Sequence, residues 1–309
     1  MFRVRSACLT CIEVVLIELS YYLLVQLIFI GLALGSIYVL IGVGLSLIFG
    51  LLTVVNFAHG AFYMVGAYVA VYIFEKTGNF WACLVLVPLA VGALGLATER
   101  WLVRPLYGRG LDYPLLLTFG LAYVLVDSVR MIFGVQGEHF STPELLQGTV
   151  DMGFGPFPIY RIFLVGLCAT LLLALWLFIE KTRLGLIVRA GSRDPLVLKV
   201  LGIDVDRVWL LIFGIGTALA GLAGLLAAPL RGVNPEMGGP VLIEAFVITV
   251  IGGMGSLVGA IVAGLLVGVV VAMTTLFQPE LAELSIFALM ALVLIVRPNG
   301  LFGREGLMS

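Results

Sequence analysis

Few residues of this chain could do covalent chemistry, and their spacing brings none of them together. Its two histidines, His59 and His139, stand far apart. His59 has no Ser, Cys or carboxylate in its own stretch to complete a nucleophile–base pair, so it reads as a structural side chain. Cys8-x-x-Cys11 has the spacing of a redox or zinc pair, but neither histidine is near it, and Cys83 and Cys168 add no framework, so no metal or redox role is expected. No Gly-x-x-x-x-Gly-Lys-[Ser/Thr] occurs anywhere, so there is no phosphate-cradling loop. What remains is the chemistry of recognition and force: isolated polar groups within apolar sequence, and one charged stretch built like soluble protein.

The isolated polar groups come first. Asn56 and His59 lie in Asn56-Phe57-Ala-His59-Gly60, at or near membrane depth. Polar groups buried there must find partners, and an Asn can satisfy backbone groups where a helix breaks. Asn234 sits in a second break, Gly232-Val-Asn234-Pro235, again beside a short span. Paired breaks in two halves point to a binding site near the membrane midplane. A true internal repeat and two unrelated breaks are both open at this point. Glu244, close to Gly238-Gly239-Pro240, reads either as lining a path or as a helix-end carboxylate at the headgroups. Asp127 and Arg130, three apart on one span, read as an ion pair near its outer end.

The charged stretch runs from Lys181 to Arg207 and holds Lys181, Arg183, Arg189, Arg193, Lys199 and Arg207. Inside it lie the marks of a short capped helix. Asp194 suits the N-cap, Pro195 the first helical position, and Gly202 a left-handed end. Barely two turns long, such a helix needs a packing surface. Leu196, Val197, Val200 and Leu201 would give it an apolar face, with Lys199 turned elsewhere. That face either rests on lipid headgroups or docks to a protein partner.

The elements that position these residues follow from composition. Apolar residues make up 62% of the 309, charged residues 11%, and mean hydropathy is +1.20. A soluble domain has roughly 45–50% apolar and about 25% charged residues, so the solvent for most of this chain is lipid. A net charge of -1 argues against nucleic acid as a partner. Segments long enough to cross are 57–74, 80–99, 115–133, 161–180, 208–228, 257–275 and 284–296. The run 22–55 is too long for one straight span and short for two, and 240–251 is apolar but short. The fold class is an all-α membrane protein, a multi-pass helical bundle with about eight to ten segments, some broken or re-entrant. Residues 1–21 read as a surface helix or an upstream extension without a cleavage site, residues 22–303 as the transmembrane domain, and 304–309 as a cytoplasmic tail.

Lys and Arg set the orientation. Loop 100–113 (Arg100, Arg104, Arg109), loop 181–207 and the tail (Arg297, Arg304) face the cytoplasm. Loop 134–160, with Glu138, Glu144 and Asp151, and loop 276–283, with Glu280 and Glu283, face outward. Small residues recur one helical turn apart in Gly31-x-x-x-Gly35, Gly42-x-x-x-Ser46-x-x-x-Gly50, Gly252-x-x-x-Ser256, Gly255-x-x-x-Gly259 and Gly264-x-x-x-Gly268. That spacing lets helix backbones approach closely where lipid offers no hydrophobic drive.

Asn56-Phe-Ala-His-Gly-Ala-Phe-Tyr-Met-Val-Gly-Ala-Tyr68, with the lead-in Gly31-Leu-Ala-Leu-Gly-Ser-Ile-Tyr38, resembles the hallmark of branched-chain amino acid ABC transporter permeases of the LivH type. The loop Arg189-Ala…Leu201-Gly202-Ile-Asp204-Val-Asp-Arg207 is similar to that family's ATPase-contacting loop. Gly252-Gly253-Met-Gly255-Ser256 is similar to its Gly-Gly-x-Gly-Ser turn. The resemblance covers roughly residues 22–303. It implies a permease subunit for branched-chain or related neutral amino acids in the bacterial inner membrane, not itself an enzyme. ATP and Mg would be held by two cytosolic ATPase subunits. A second, LivM-like permease and a periplasmic or lipid-anchored binding protein would complete the assembly, with membrane lipid around it. Arg189, Asp194, Pro195, Leu198, Leu201, Gly202 and Asp204 would form the coupling loop. Asn56, Phe57, His59, Gly60, Asn234 and Glu244 would shape the breaks or the path. Gly252, Gly253, Gly255 and Ser256 would make a tight packing turn. A urea or short-amide permease is the alternative within the family. An ATP-independent carrier or channel is the alternative outside it, and it gives the capped loop helix no role.

Overall fold

The computed structural model describes residues 2–52, 54–110, 112–153, 155–191, 198 and 200–303, with side chains from Tyr21 onward. In lipid the backbone must satisfy its own hydrogen bonds, and this sequence does so almost entirely with helices. Among the described residues these are α1 (Phe2–Leu52), α2 (His59–Thr77), α3 (Phe80–Thr98), α4 (Asp112–Phe133), α5 (Ile159–Lys181), α6 (Arg183–Gly191), α7 (Val205–Arg231), α8 (Gly238–Gly252), α9 (Leu257–Phe277) and α10 (Ala282–Val296). A small antiparallel ribbon, β1 (Thr149–Asp151) with β2 (Pro156–Pro158), folds the outer loop. Among the described residues seven helices are long and apolar enough to cross a membrane, and α8 is a shorter apolar helix. The run 22–55 resolves as one long span, Tyr21–Leu52, followed by a non-helical return into the bundle. A stretch longer than the hydrocarbon is accommodated by tilt.

The helices form two sets of four, α1–α4 and α7–α10, and packed pairs in one set have counterparts in the other. Helix α1 packs on α9 as α7 packs on α3, and α1 meets α8 as α7 meets α2. The pair α2–α3 matches α8–α9, and α2–α4 matches α8–α10. Helices α1 and α7 are antiparallel, since Tyr38 lies beside Arg231 and Gly44 beside Gly216, so the sets run in opposite directions, the arrangement of an inverted repeat. The glycine patterns of the sequence build its seams. A Cβ on Gly35 would sit 2.9 Å from the Leu265 Cα, and one on Gly31 would strike Val269, so α1 and α9 touch backbone to backbone.

Candidate functional site

The two helix breaks meet inside the bundle. At the first, the Asn56 side-chain oxygen accepts from the Ala58 N–H (3.1 Å), the Asn56 carbonyl accepts from the His59 N–H (3.2 Å), and the Phe57 N–H donates to Thr118 Oγ1 (3.1 Å). His59 Nε2–H donates to the Ile41 carbonyl at 3.1 Å, which fixes the ring as a structural strut between α2 and α1. Asn56, Ala58 and His59 are fully buried. At the second break, the Asn234 side chain accepts from the Glu236 N–H (3.0 Å) and its carbonyl from the Met237 N–H (3.2 Å), the same local device. Gly60 at the start of α2 lies against Gly238 at the start of α8, and a Cβ on either would collide with the other's backbone. The helix starts that the sequence marked by two Asn breaks therefore converge.

Beside this junction stands a polar cluster of which the sequence offered only one member. Glu244 is not at a helix end. It lies midway along α8, where Tyr38, near the middle of the α1 span, donates to Oε1 (3.2 Å) and Arg231, the last residue of α7, pairs with Oε2 (3.2 Å). Arg231 also donates to the Tyr38 hydroxyl at 2.7 Å, and its guanidinium lies 5.3 Å from the Tyr38 ring centre. The Arg231 side chain is 32% exposed and that of Glu244 15%. The signal for Arg231 was available: a lone basic residue on the outer side of a short connection runs against the positive-inside bias. Asp127 and Arg130 do pair (2.9 Å), and Arg130 also reaches Glu236, so the outer end of α4 is tied to the second break.

At its C-terminal end α3 runs into a π-helical turn, Glu99–Val103, a feature often found at functional sites. Glu99 is fully buried. It accepts from Arg104 Nη2 (2.9 Å) and Nε (3.2 Å) and from the Tyr107 hydroxyl (3.1 Å). Burial, and then the neighbouring Glu99 carboxylate, pushes the Tyr107 hydroxyl up, so it remains a donor. Arg104 donates onward to the Asp206 carbonyl (3.0 Å), and the Tyr107 ring stands edge-on to Trp209 (5.0 Å). The loop after α3 is thus clasped to the first turn of α7, where the charged loop returns to the membrane.

Of that loop, Asp194, Pro195 and most of the expected capped helix fall outside the described residues. Leu198 is buried beside Gly191, so it packs inward and is not a surface contact. Val200 and Leu201 are 87% and 68% exposed. Gly202 has φ 74°, the left-handed conformation expected of it, and Asp204 caps α7 by accepting from the Arg207 N–H (3.3 Å). Arg189 on α6 pairs with Glu180 at the end of α5. In the Gly252–Ser256 turn, Gly253 (φ 96°) and Gly255 (φ 80°) reverse the chain, and Ser256 Oγ accepts from the Gly259 N–H (3.1 Å) to start α9. The chain end also packs on this turn. The Leu301 and Phe302 N–H groups donate to the Ile251 (2.8 Å) and Gly252 (3.0 Å) carbonyls.

The family described as branched-chain amino acid transport system / permease component matches residues 27–294. The chain is 34% identical over 303 residues to the high-affinity branched-chain amino acid transport system permease protein BraD of Pseudomonas aeruginosa, covering 93% of this chain and 97% of that one. The same figures hold for the permease protein LivH of Escherichia coli K12. Identity to the permease protein LivM of Salmonella typhimurium is 32% over 292 residues, covering 86% of this chain and 67% of that one. No solved structure matches. A family match over most of its length, on a bundle of inverted halves, makes this chain a multi-pass membrane protein of the branched-chain amino acid transport permease family.

Proposed function

We propose that this chain is one permease subunit of an ABC importer of the bacterial cytoplasmic membrane, carrying branched-chain or related neutral amino acids. It works beside a second, LivM-like permease. A periplasmic or lipid-anchored binding protein delivers substrate to the outer face. Two cytosolic ATPase subunits hold ATP and Mg2+ and supply the energy, and this chain carries no catalytic step of its own. The observation that carries the reading is the convergence of the α2 and α8 starts at Gly60 and Gly238, between halves of opposite direction. Half-helices that start inside a bundle are where transporters of this architecture hold substrate, and rocking of one half against the other opens the site to alternate sides.

The charged loop is the input for force. Val200 and Leu201 present apolar surface to the cytoplasm, which suits seating in a groove of a partner protein. The Glu99–Arg104–Tyr107 clasp carries displacement of the loop's exit to the inner end of α3. The test is co-purification from native membranes followed by uptake measurement. The ATPase subunits should accompany the wild-type chain and be lost with Leu201→Asp, while the variant still inserts and elutes as a folded membrane protein. Retention of the ATPase together with unchanged uptake in Leu201→Asp would remove the loop as the point of coupling.

A further inference from the structure

The Tyr38–Arg231–Glu244 cluster is poorly explained by stability. An ion pair partly withdrawn from water, as this one is, is often no more stabilising than apolar residues of the same size, and an ionisable group within a membrane-spanning bundle is by default a functional one. The cluster also holds unused capacity. A guanidinium has five N–H donors, and Arg231 spends one on Tyr38 and one on Glu244 among the described residues. The Tyr63 hydroxyl on α2 is fully buried within reach of Arg231 and makes no well-formed hydrogen bond among the described residues. The four residues come from α1, α2, α7 and α8, the helices that border the two breaks.

Resting on the permease reading, we infer that Arg231 and Glu244 are the headgroup site for a zwitterionic α-amino acid. The substrate carboxylate replaces Glu244 at the guanidinium, and its ammonium replaces Arg231 at the Glu244 carboxylate. The Tyr38 and Tyr63 hydroxyls bond to the headgroup. Because one internal pair is exchanged for two pairs with the ligand, no charge is left bare in the apolar bundle in either state. When substrate leaves, Arg231 and Glu244 close on each other again. A ligand with one charge strands one member of the pair, and a neutral amide or urea separates them without compensation, so the site selects against all three.

The test uses the full assembly, permeases with ATPases and binding protein, in proteoliposomes. Radiolabelled L-leucine uptake and binding-protein-stimulated ATP hydrolysis are measured for Arg231→Gln, Glu244→Gln, Tyr38→Phe and the reciprocal swap Arg231→Glu/Glu244→Arg. The binding protein is a separate, unchanged chain, so a loss belongs to the membrane step. Arg231→Gln and Glu244→Gln should lower uptake on the order of 10- to 100-fold, the loss expected for a charged hydrogen bond, while ATP hydrolysis continues uncoupled. Tyr38→Phe should give a smaller drop and keeps the ion pair, so it reads the site even where the charge variants fail to assemble. The swap should restore assembly but not uptake, since the headgroup would have to bind reversed. Restoration of uptake by the swap would mark the pair as structural and overturn the inference, as would unchanged uptake in Tyr38→Phe and both single charge variants. Wild-type uptake of urea or isovaleramide as fast as L-leucine also overturns it and leaves the permease reading standing. Absence of any co-purifying ATPase removes both.

Discussion

The first helix break is sealed and neutral, whereas the second is open and charged. Residues 54–58 are held by Asn56, Thr118 and the His59–Ile41 bond, with no ionic side chain among them. Residues 232–237 are flanked by Arg231, Glu236 and Glu244, and are tied to Arg130 and, through the Val233–Glu138 bridge, to the outer loop. Both breaks use an Asn to end one helix and begin another, yet one is sealed by neutral hydrogen bonds and the other is bordered by charge. An inverted repeat supplies geometry twice. The chemistry need only be written once.

The comparison can be broken most severely at the contact both halves share. Gly60→Val drives a branched side chain into the Gly238 backbone. Overpacking that cannot relax should cost about 3 kcal/mol or more, read as loss of the monodisperse peak on size-exclusion chromatography. Next comes the clasp. Glu99→Ala removes a buried carboxylate that satisfies Arg104 and Tyr107, and leaves a partly buried guanidinium unpaired. Roughly 3 kcal/mol is expected, since Arg104 retains some access to water, and a fall in Tm should be accompanied by weakened coupling of ATP hydrolysis to uptake.

The sharpest comparison is Asn56→Ala against Asn234→Ala. The first strands a fully buried Ala58 N–H and should cost about 1–3 kcal/mol; the second frees a donor that water can reach and should cost less than about 1 kcal/mol, both read from thermal denaturation. Equal losses would show that the two breaks do not differ as anchor and working site. The smallest effect belongs to Asp127→Asn at the exposed outer end, a change in Tm that vanishes at high salt.

Helix identity was legible because lipid admits little else. The spans 80–99, 161–180 and 257–275 correspond to Phe80–Thr98, Ile159–Lys181 and Leu257–Phe277. The run 22–55 was ambiguous because length alone does not reveal tilt or where a chain turns back. Asn56, His59 and Asn234 stood out because polar residues are conspicuous in apolar sequence. Arg231 did not, because it stands just beyond the 208–228 span. Glu244 was visible but left between two readings, because nothing local shows that it stands midway along a helix that begins against Gly60.

The sequence by itself determined that this chain is a lipid-embedded helical bundle and where helices pack through small residues, because those properties follow from composition, period and side-chain size. Only the tertiary structure decided that the two breaks touch, that Glu99 is enclosed by Arg104 and Tyr107, and that Tyr38, Arg231 and Glu244 form one cluster. Tyr38 and Arg231 are 193 residues apart. Helix packing joins them, and no local pattern encodes it.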